Sequence, residues 1–290
     1  MDVTLFALNV RDEAAATLVP GVRVVVNGLL GDPYGREQLP RLLEEVGPDV
    51  VLLHHDLYLY SVLEEALTAF RSTRPHVSVV VYCPVEWAST RPGNVQTLAG
   101  ADVVVTYTQF GARAVASAFA ARPDAPELQV MRDRGIDVRA GARELGISDK
   151  VLTTTEDDAP PRLPDETLNL VYNAADAGLN TATGEGWGLV AFERGATGAA
   201  QVMPDHSACA ELWGGKALLV PVEEGRDEDG IVSRDGAVAA LERLYADPAL
   251  RAGLGDAARA HALDPRFDWD TIAQSWKRVL TKAAELVRSS

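Results

Sequence analysis

Two glutamates eight positions apart, Glu185 and Glu193, bracket the end of a glycine-rich turn, GEGWG at 184–188, and an apolar stretch, LVAF. A carboxylate accepts hydrogen bonds from neighbouring hydroxyls, so two of them at different distances from one turn suit an extended polyhydroxyl ligand. Such a turn delivers the chain from a strand near 177–180 into a helix starting near Leu189. The first backbone N–H groups of that helix lack intrahelical partners, and with the macrodipole they form a site for phosphate or diphosphate. Gly186 and Gly188 let the backbone approach a ligand where a side chain would collide. The same residues fit a plainer arrangement, with Glu193 exposed on its helix and Glu185 a charge at the helix start. A second group, His54, His55 and Asp56, closes the run VVLLHHD at 50–56, and Glu86 and Trp87 close VYCPVEW at 81–87. Residues just past strand C-termini face the edge where open α/β sheets bind ligands. A strand-end histidine equally serves as a supporting residue.

The elements that must position these groups alternate. Short β-branched runs predict strands at Val3–Leu8, Val22–Val26, Val50–Leu53, Val77–Tyr82 and Val103–Tyr107, with helices at Arg36–Val46 and Tyr60–Arg71 between them. Strands separated by helices mean βαβ units and a parallel sheet, and continuous apolar runs such as VSVVVY mean burial on both faces. Ala121–Ala125 reads as a linker. A second set follows, with strands at Leu128–Met131, Val151–Thr153, Ala177–Asn180, Ala200–Met203 and Ala217–Val220. Its helices are expected at Asp137–Leu145, Leu189–Thr197 and Gly236–Ala246. EDDAPPRLPDE at 156–166 and EEGRDEDG at 223–230 read as surface loops, and Asp270–Arg288 as an amphipathic helix with one core-facing stripe.

The 290 residues suit two α/β domains, and 47% hydrophobic with 24% charged residues suits a packed globular chain. No run approaches the roughly 18 apolar residues of a membrane span, and the N-terminus lacks the pattern of a signal peptide, so a cytoplasmic location is expected. Net charge is −15, which opposes nucleic acid or an anionic membrane as a broad partner but not a locally held phosphate. Cys83 and Cys209 are expected as core residues. The five histidines form no metal-binding pattern, so no metal is expected.

The segment from YNAAD at 172–176 through EGWGLVAFE, GATGAA, PDHSACAEL and ALLVP resembles the E-x7-E region of retaining GT-B glycosyltransferases of the family 4 type. LERLYADPALRAGLGDAARAHA at 241–262 is similar to that family's helical tail, and YTQFGARAV at 107–115 to a strand-to-helix segment late in its first domain. The resemblance implies an α/β fold of two Rossmann-like domains with parallel sheets facing a cleft, and a C-terminal helix crossing back. It assigns 1–120 to an acceptor-side domain, 126–268 to a donor domain and 269–290 to the crossing helix. It implies transfer of a sugar from a UDP- or GDP-sugar to a hydroxyl acceptor with retention, the nucleotide sugar being substrate and no cofactor or metal being needed. Glu185 would contact the donor sugar and Glu193 the ribose, while backbone at Gly186, Trp187, Gly188, Leu189 and Val190 approaches sugar and diphosphate. His54 would face the acceptor or the transferring sugar, with His55, Asp56 and Glu86 as acceptor-side candidates.

The chain departs from the family pattern twice. An N-terminal strand with a glycine-rich loop is not found, nor is the βα unit carrying the Arg and Lys that clamp the diphosphate. Arg132, Arg134 and Lys216 are candidates to substitute, but no spacing places any of them at the diphosphate, and they equally suit ordinary surface positions. Preorganised cations stabilise a leaving diphosphate, so a second function stays open: a shortened, non-catalytic relative that binds nucleotide or a partner transferase, the partner covering truncated sheet edges. A third is another GT-B enzyme, an epimerase or phosphorylase.

Overall fold

The computed structural model describes residues 2–8, 21–27, 32–86, 95, 97–120, 143–146, 148, 163–224 and 230–288. By contacts, 1–125 and 177–290 form one compact unit and 126–176 another. The first unit opens with strands β1 (Thr4–Ala7) and β2 (Arg23–Val26), helix α1 (Leu39–Val46), β3 (Val50–His54), α2 (Leu57–Thr73), β4 (Ser78–Cys83), β5 (Val103–Thr106) and α3 (Gln109–Ala120). These match the expected strands to within a residue or two. Helix α1 begins three residues later than expected. The Asp32 carboxylate accepts from the amides of Arg36 and Glu37 at 2.9 Å each, holding them in a turn ahead of the helix.

β1 pairs with β2, and β3–β4–β5 form a second sheet; every pairing is parallel. The register sets His54 opposite Tyr82 and Tyr82 opposite Val105, so the ends of neighbouring strands meet at one edge. Val79, Val81 and Cys83 pack with Tyr60, Ala114 and Val115, joining β4 to α2 and α3. Leu39, Leu43, Leu63, Leu67 and Phe70 join α1 to α2. The β4 strand is buried along nearly its whole length, as its unbroken apolar run requires.

Of the second unit, the described residues include α4 (Asp165–Asn173). It begins inside the segment expected as an acidic loop. Pro164 at its N-cap and acidic Asp165 and Glu166 in its first turn favour a helix start; none of its residues is buried, and Leu170 and Val171 stand exposed on it.

The first unit resumes with β6 (Ala177–Leu179), α5 (Leu189–Ala196), β7 (Ala200–Pro204), α6 (Ser207–Trp213), β8 (Leu218–Val220), β9 (Val222–Glu224), β10 (Gly230–Val232), α7 (Arg234–Ala246), α8 (Pro248–Ala262) and α9 (Trp269–Arg288). β6–β7–β8 are parallel, with β7 central and wholly buried. β9 and β10 pair antiparallel, so the ends of the expected loop 223–230 belong to strands instead. The small-residue run at 195–200 has a packing reason. A Cβ on Gly195 would meet the Trp213 ring, and one on Gly255 of α8 would collide with the Gly198 carbonyl. Cys83 and Cys209 are buried and free, and burial pushes both thiols up to about 12, which makes them core residues. The stretches expected at Ala121–Ala125, Leu128–Met131 and Val151–Thr153 lie outside the described residues, as does most of Asp137–Leu145.

α9 closes the unit by packing against β4 and β3. Its expected stripe meets the β3–β4–β5 sheet through Trp276, whose ring lies edge-on to Tyr82 with centroids 4.7 Å apart. No described helix is long and apolar enough to cross a membrane.

Candidate functional site

Glu185 lies in the turn between β6 and α5, half-buried, and the chain around it is tied from several sides. Its backbone N–H donates to Ser207 Oγ at 3.2 Å, and its carbonyl accepts from the Ala208 N–H at 3.2 Å. Ser207 holds a left-handed φ of 51° at the start of α6, a conformation non-glycine residues seldom take. Gly188, the N-cap of α5, has φ 86°, so a side chain there would be strained. The Glu185 carboxylate folds over the helix start, where it is hydrogen-bonded by Asn180 and by the backbone N–H groups of Trp187 and Gly188. Burial raises its pKa, while those three hydrogen bonds oppose the rise. Two of the amides expected to meet a diphosphate, those of Trp187 and Gly188, serve Glu185 itself here.

Trp187 gives its amide to this turn and its side chain to the core. The indole stacks on Phe192 at 4.9 Å and meets Phe267 edge-on at 5.4 Å. Leu189 and Val190, in the first turn of α5, are 67% and 61% exposed and give the helix start an open apolar shoulder. Glu193 is exposed on α5, one helical turn beyond them.

The turn also touches the end of the β3–β4–β5 sheet. A Cβ on Gly186 would lie 2.9 Å from Pro84 Cβ and 3.3 Å from the Val85 amide, so the glycine lets the turn seat against the end of β4. Glu86 is thereby drawn close to Glu185. Its pKa is raised by burial first, then by the negative charges of Asp56 and Glu185. Three of the expected residues, Asp56, Glu86 and Glu185, thus share one electrostatic environment. Among the described residues no group of three or more His, Cys, Asp or Glu side chains is placed to hold a metal ion.

His54 ends β3 and is exposed. Its ring stacks on Tyr82 at 4.8 Å, and its Nε2 lies 2.7 Å from the Tyr107 hydroxyl. Burial lowers its pKa, His55 lowers it further and Asp56 opposes both. Tyr107 is pushed up to about 12, chiefly by burial, so the phenol keeps its proton. A neutral imidazole protonated at Nδ1 then accepts from Tyr107 at Nε2. His55 turns back on the chain, its Nδ1 accepting from the Asp56 N–H at 2.8 Å. The Tyr60 hydroxyl lies within 3.3 Å of the carbonyls of Leu53, His55 and Tyr82, binding the ends of β3 and β4 together.

Tyr82, Tyr107, Asn180, Ser207 and Trp276 join the site without having been singled out in the sequence. Tyr82 and Tyr107 had a readable signal, since each occupies the end of a parallel strand as His54 does. Of the cations considered for a diphosphate clamp, Arg132 and Arg134 lie outside the described residues. Lys216 is committed elsewhere, its Nζ donating to the carbonyls of Leu212 and Gly214 at 3.3 and 3.2 Å at the end of α6. Trp87 also lies outside the described residues.

These parallel βα layers define an α/β fold of the kind seen in GT-B glycosyltransferases. The chain superposes on Anabaena Alr3699/HepE in complex with UDP and glucose with a TM-score of 0.56 at 18% identity, covering 97% of this chain and 91% of that one. For the same Anabaena protein in complex with UDP-glucose the TM-score is 0.55 at 17% identity, covering 90% and 86%. In sequence, 139 residues are 35% identical to a D-inositol 3-phosphate glycosyltransferase of Acidothermus cellulolyticus, over 47% of this chain and 27% of that protein. The chain thus spans about a quarter of the length of that relative. No family model matches.

Proposed function

We propose that this chain is a cytoplasmic, retaining, metal-independent hexosyltransferase of the family 4 type, moving a sugar from a UDP- or GDP-sugar to a hydroxyl acceptor. The observation that carries this reading is the pairing of the Glu185 carboxylate with the N-terminal amides of α5. An arriving donor offers both parties better partners. Its diphosphate takes the amides of Trp187 and Gly188, and its sugar hydroxyls take the freed carboxylate. Glu193 would hold the ribose, with Leu189 and Val190 flanking the donor. His54, neutral and oriented by Tyr107, faces the transferring sugar, and His55, Asp56 and Glu86 face the acceptor. In the step itself the bond from the anomeric carbon to the diphosphate oxygen breaks and a bond to the acceptor oxygen forms. The acceptor's proton leaves with the diphosphate. Domain limits of 1–120, 126–268 and 269–290 accompany the reading. The glycosyltransferase name of the Acidothermus relative and the UDP-glucose held by the Anabaena protein support it.

Glu185→Gln keeps the backbone ties to Ser207 and Ala208 and removes the charge. Transfer should fall about 100-fold or more, with the circular dichroism spectrum unchanged; undiminished turnover would remove Glu185 from the mechanism. The anomeric configuration of the product, read by proton NMR, tests retention.

A second reading, a nucleotide-binding relative without turnover, draws on the commitment of Lys216 to α6 rather than to a diphosphate. Sugar transfer by the purified chain alone would exclude it.

A further inference from the structure

His54 stands exposed at the end of β3, yet its imidazole is held from two directions. The β3–β4 register sets Tyr82 opposite it, and the two rings stack at 4.8 Å with their planes 25° apart. The Tyr107 hydroxyl takes one edge, 2.7 Å from Nε2, while the Tyr107 ring lies 4.6 Å from that of Tyr82. Tyr82 is itself backed by Trp276 of α9, at 4.7 Å and with the planes 73° apart, an edge-to-face arrangement that ring quadrupoles favour. Two turns further along the same face of α9, Ala283 is wholly buried, which anchors the helix at that place. One hydrogen bond alone leaves an exposed imidazole free to turn about its torsions and to exchange tautomers. A ring laid against its face removes that freedom only where that ring is itself held, and Trp276 holds Tyr82 from the last helix of the chain.

We propose that Trp276 is a positioning residue for His54, acting through Tyr82, an inference that rests on the transferase reading above. With Nε2 accepting from Tyr107, the ring keeps its proton on Nδ1, and nothing among the described residues accepts from that N–H. The held imidazole therefore offers one donor in a fixed direction to a substrate oxygen. Loss of the Trp276 ring frees Tyr82 to move, and the imidazole with it, so the donor is misplaced although no residue that touches substrate has changed. None of these ring contacts involves the turn 184–188 or α5, so nucleotide binding is not expected to sense the loss.

The test is imidazole NMR on the full chain, with the His54 signals assigned by their loss in His54→Gln. In the unaltered chain the His54 ring protons should be shifted upfield by the face of Tyr82, and its two nitrogens should differ as in a single tautomer. Trp276→Ala should relax both features, while His261, which lies among Phe192, Trp213 and Phe267, keeps its signals. Trp276→Phe retains an aromatic edge and should restore the His54 pattern. Should Trp276→Ala fail to fold, Trp276→Leu fills much of the space without a ring and is read the same way. Kinetics use UDP-glucose and GDP-glucose as donors with water as acceptor. In Trp276→Ala kcat should fall about tenfold, within what a misplaced group costs, with KM and calorimetric nucleotide affinity unchanged. Unmoved His54 signals in Trp276→Ala overturn the proposal, as do signals that Trp276→Phe fails to restore. An equal change at His261, the mark of general loosening, overturns it too, and so does a loss confined to KM. An unaltered chain that neither binds nucleotide nor turns over either donor instead strikes the transferase reading, and the NMR series then still decides whether Trp276 holds His54.

Discussion

Around Glu185, burial and charge act on Glu86 and His54 in different ways, and each group yields a signed prediction. Glu86 binds its proton more tightly when folded, because burial and the charges of Asp56 and Glu185 raise its pKa above the ordinary 4.5. Its contribution to stability is full below that ordinary value and is lost as pH climbs through the raised folded value. Glu86→Gln should therefore raise Tm at pH 7 by about 1–2 °C, solvent access being allowed for, and leave Tm unchanged at pH 4. Thermal melts at the two pH values check this; an equal effect at both would deny the charge repulsion. His54 is shifted the other way, downward by burial and by His55, with Asp56 opposing. Asp56→Asn should lower the His54 pKa further, as read by NMR titration of the imidazole. A rise would mean that Asp56 is not the carboxylate that His54 senses.

At the level of elements, the tightest approach among α5, β7 and α8 is made by small residues. Gly255→Ala would push a methyl group into the Gly198 carbonyl. Overpacking of this kind costs about 1–3 kcal/mol, so Tm should fall by several degrees; an unchanged melt would show that α8 can shift freely. The small-residue run at 195–200 was visible in the sequence, but which partner it admits was not, because the contact joins residues nearly sixty positions apart. The parallel strands were legible for a local reason. The run SVVVY carried its own signal of burial on both faces, and β4 is buried as it implies. VVLL marked the strand β3 but not its burial, since Leu52 and His54 are exposed. Elements without such a signal were read in part as loops or went unread. α4 buries none of its residues, and β9 and β10 are three residues each, flanking a charged segment. In the site, the turn at 184–188 and the strand-end His54 could be read from residue type and position. The partnership of His54 with Tyr107 spans 53 residues and depends on register, which no short pattern encodes. His261 shows the converse. It lies among Phe192, Trp213 and Phe267, and burial first, then Lys216 and Arg266, lower its pKa to about 4, so it packs as a neutral ring.

Across the whole molecule, the N-terminal elements and the segments after 177 are joined where Gly186 meets Pro84, where α9 packs on β4 and β3, and where Glu211 meets α3. The last is a cap supplied from a distance. The Glu211 carboxylate on α6 accepts from the amides of Gln109 and Phe110 at 3.0 and 2.6 Å, with the Arg113 guanidinium 3.8 Å away. A capping acceptor is worth about 1 kcal/mol. Glu211→Ala should lower Tm by a few degrees and speed amide exchange in the first turn of α3. Unaltered exchange there would show that the two segments do not depend on this contact. The join also sets the geometry on which the proposed chemistry rests, since it holds the β3 and β4 strand ends beside the turn that carries Glu185.

The central claim, a nucleotide-sugar site at the start of α5, is tested most directly by calorimetric titration with UDP and with GDP, without added metal, on the chain and on Glu193→Ala. The account predicts that one of the two nucleotides binds and that Glu193→Ala weakens it about tenfold or more, the loss of a charged hydrogen-bond partner. Binding of neither nucleotide, or binding that Glu193→Ala leaves unchanged, would contradict it.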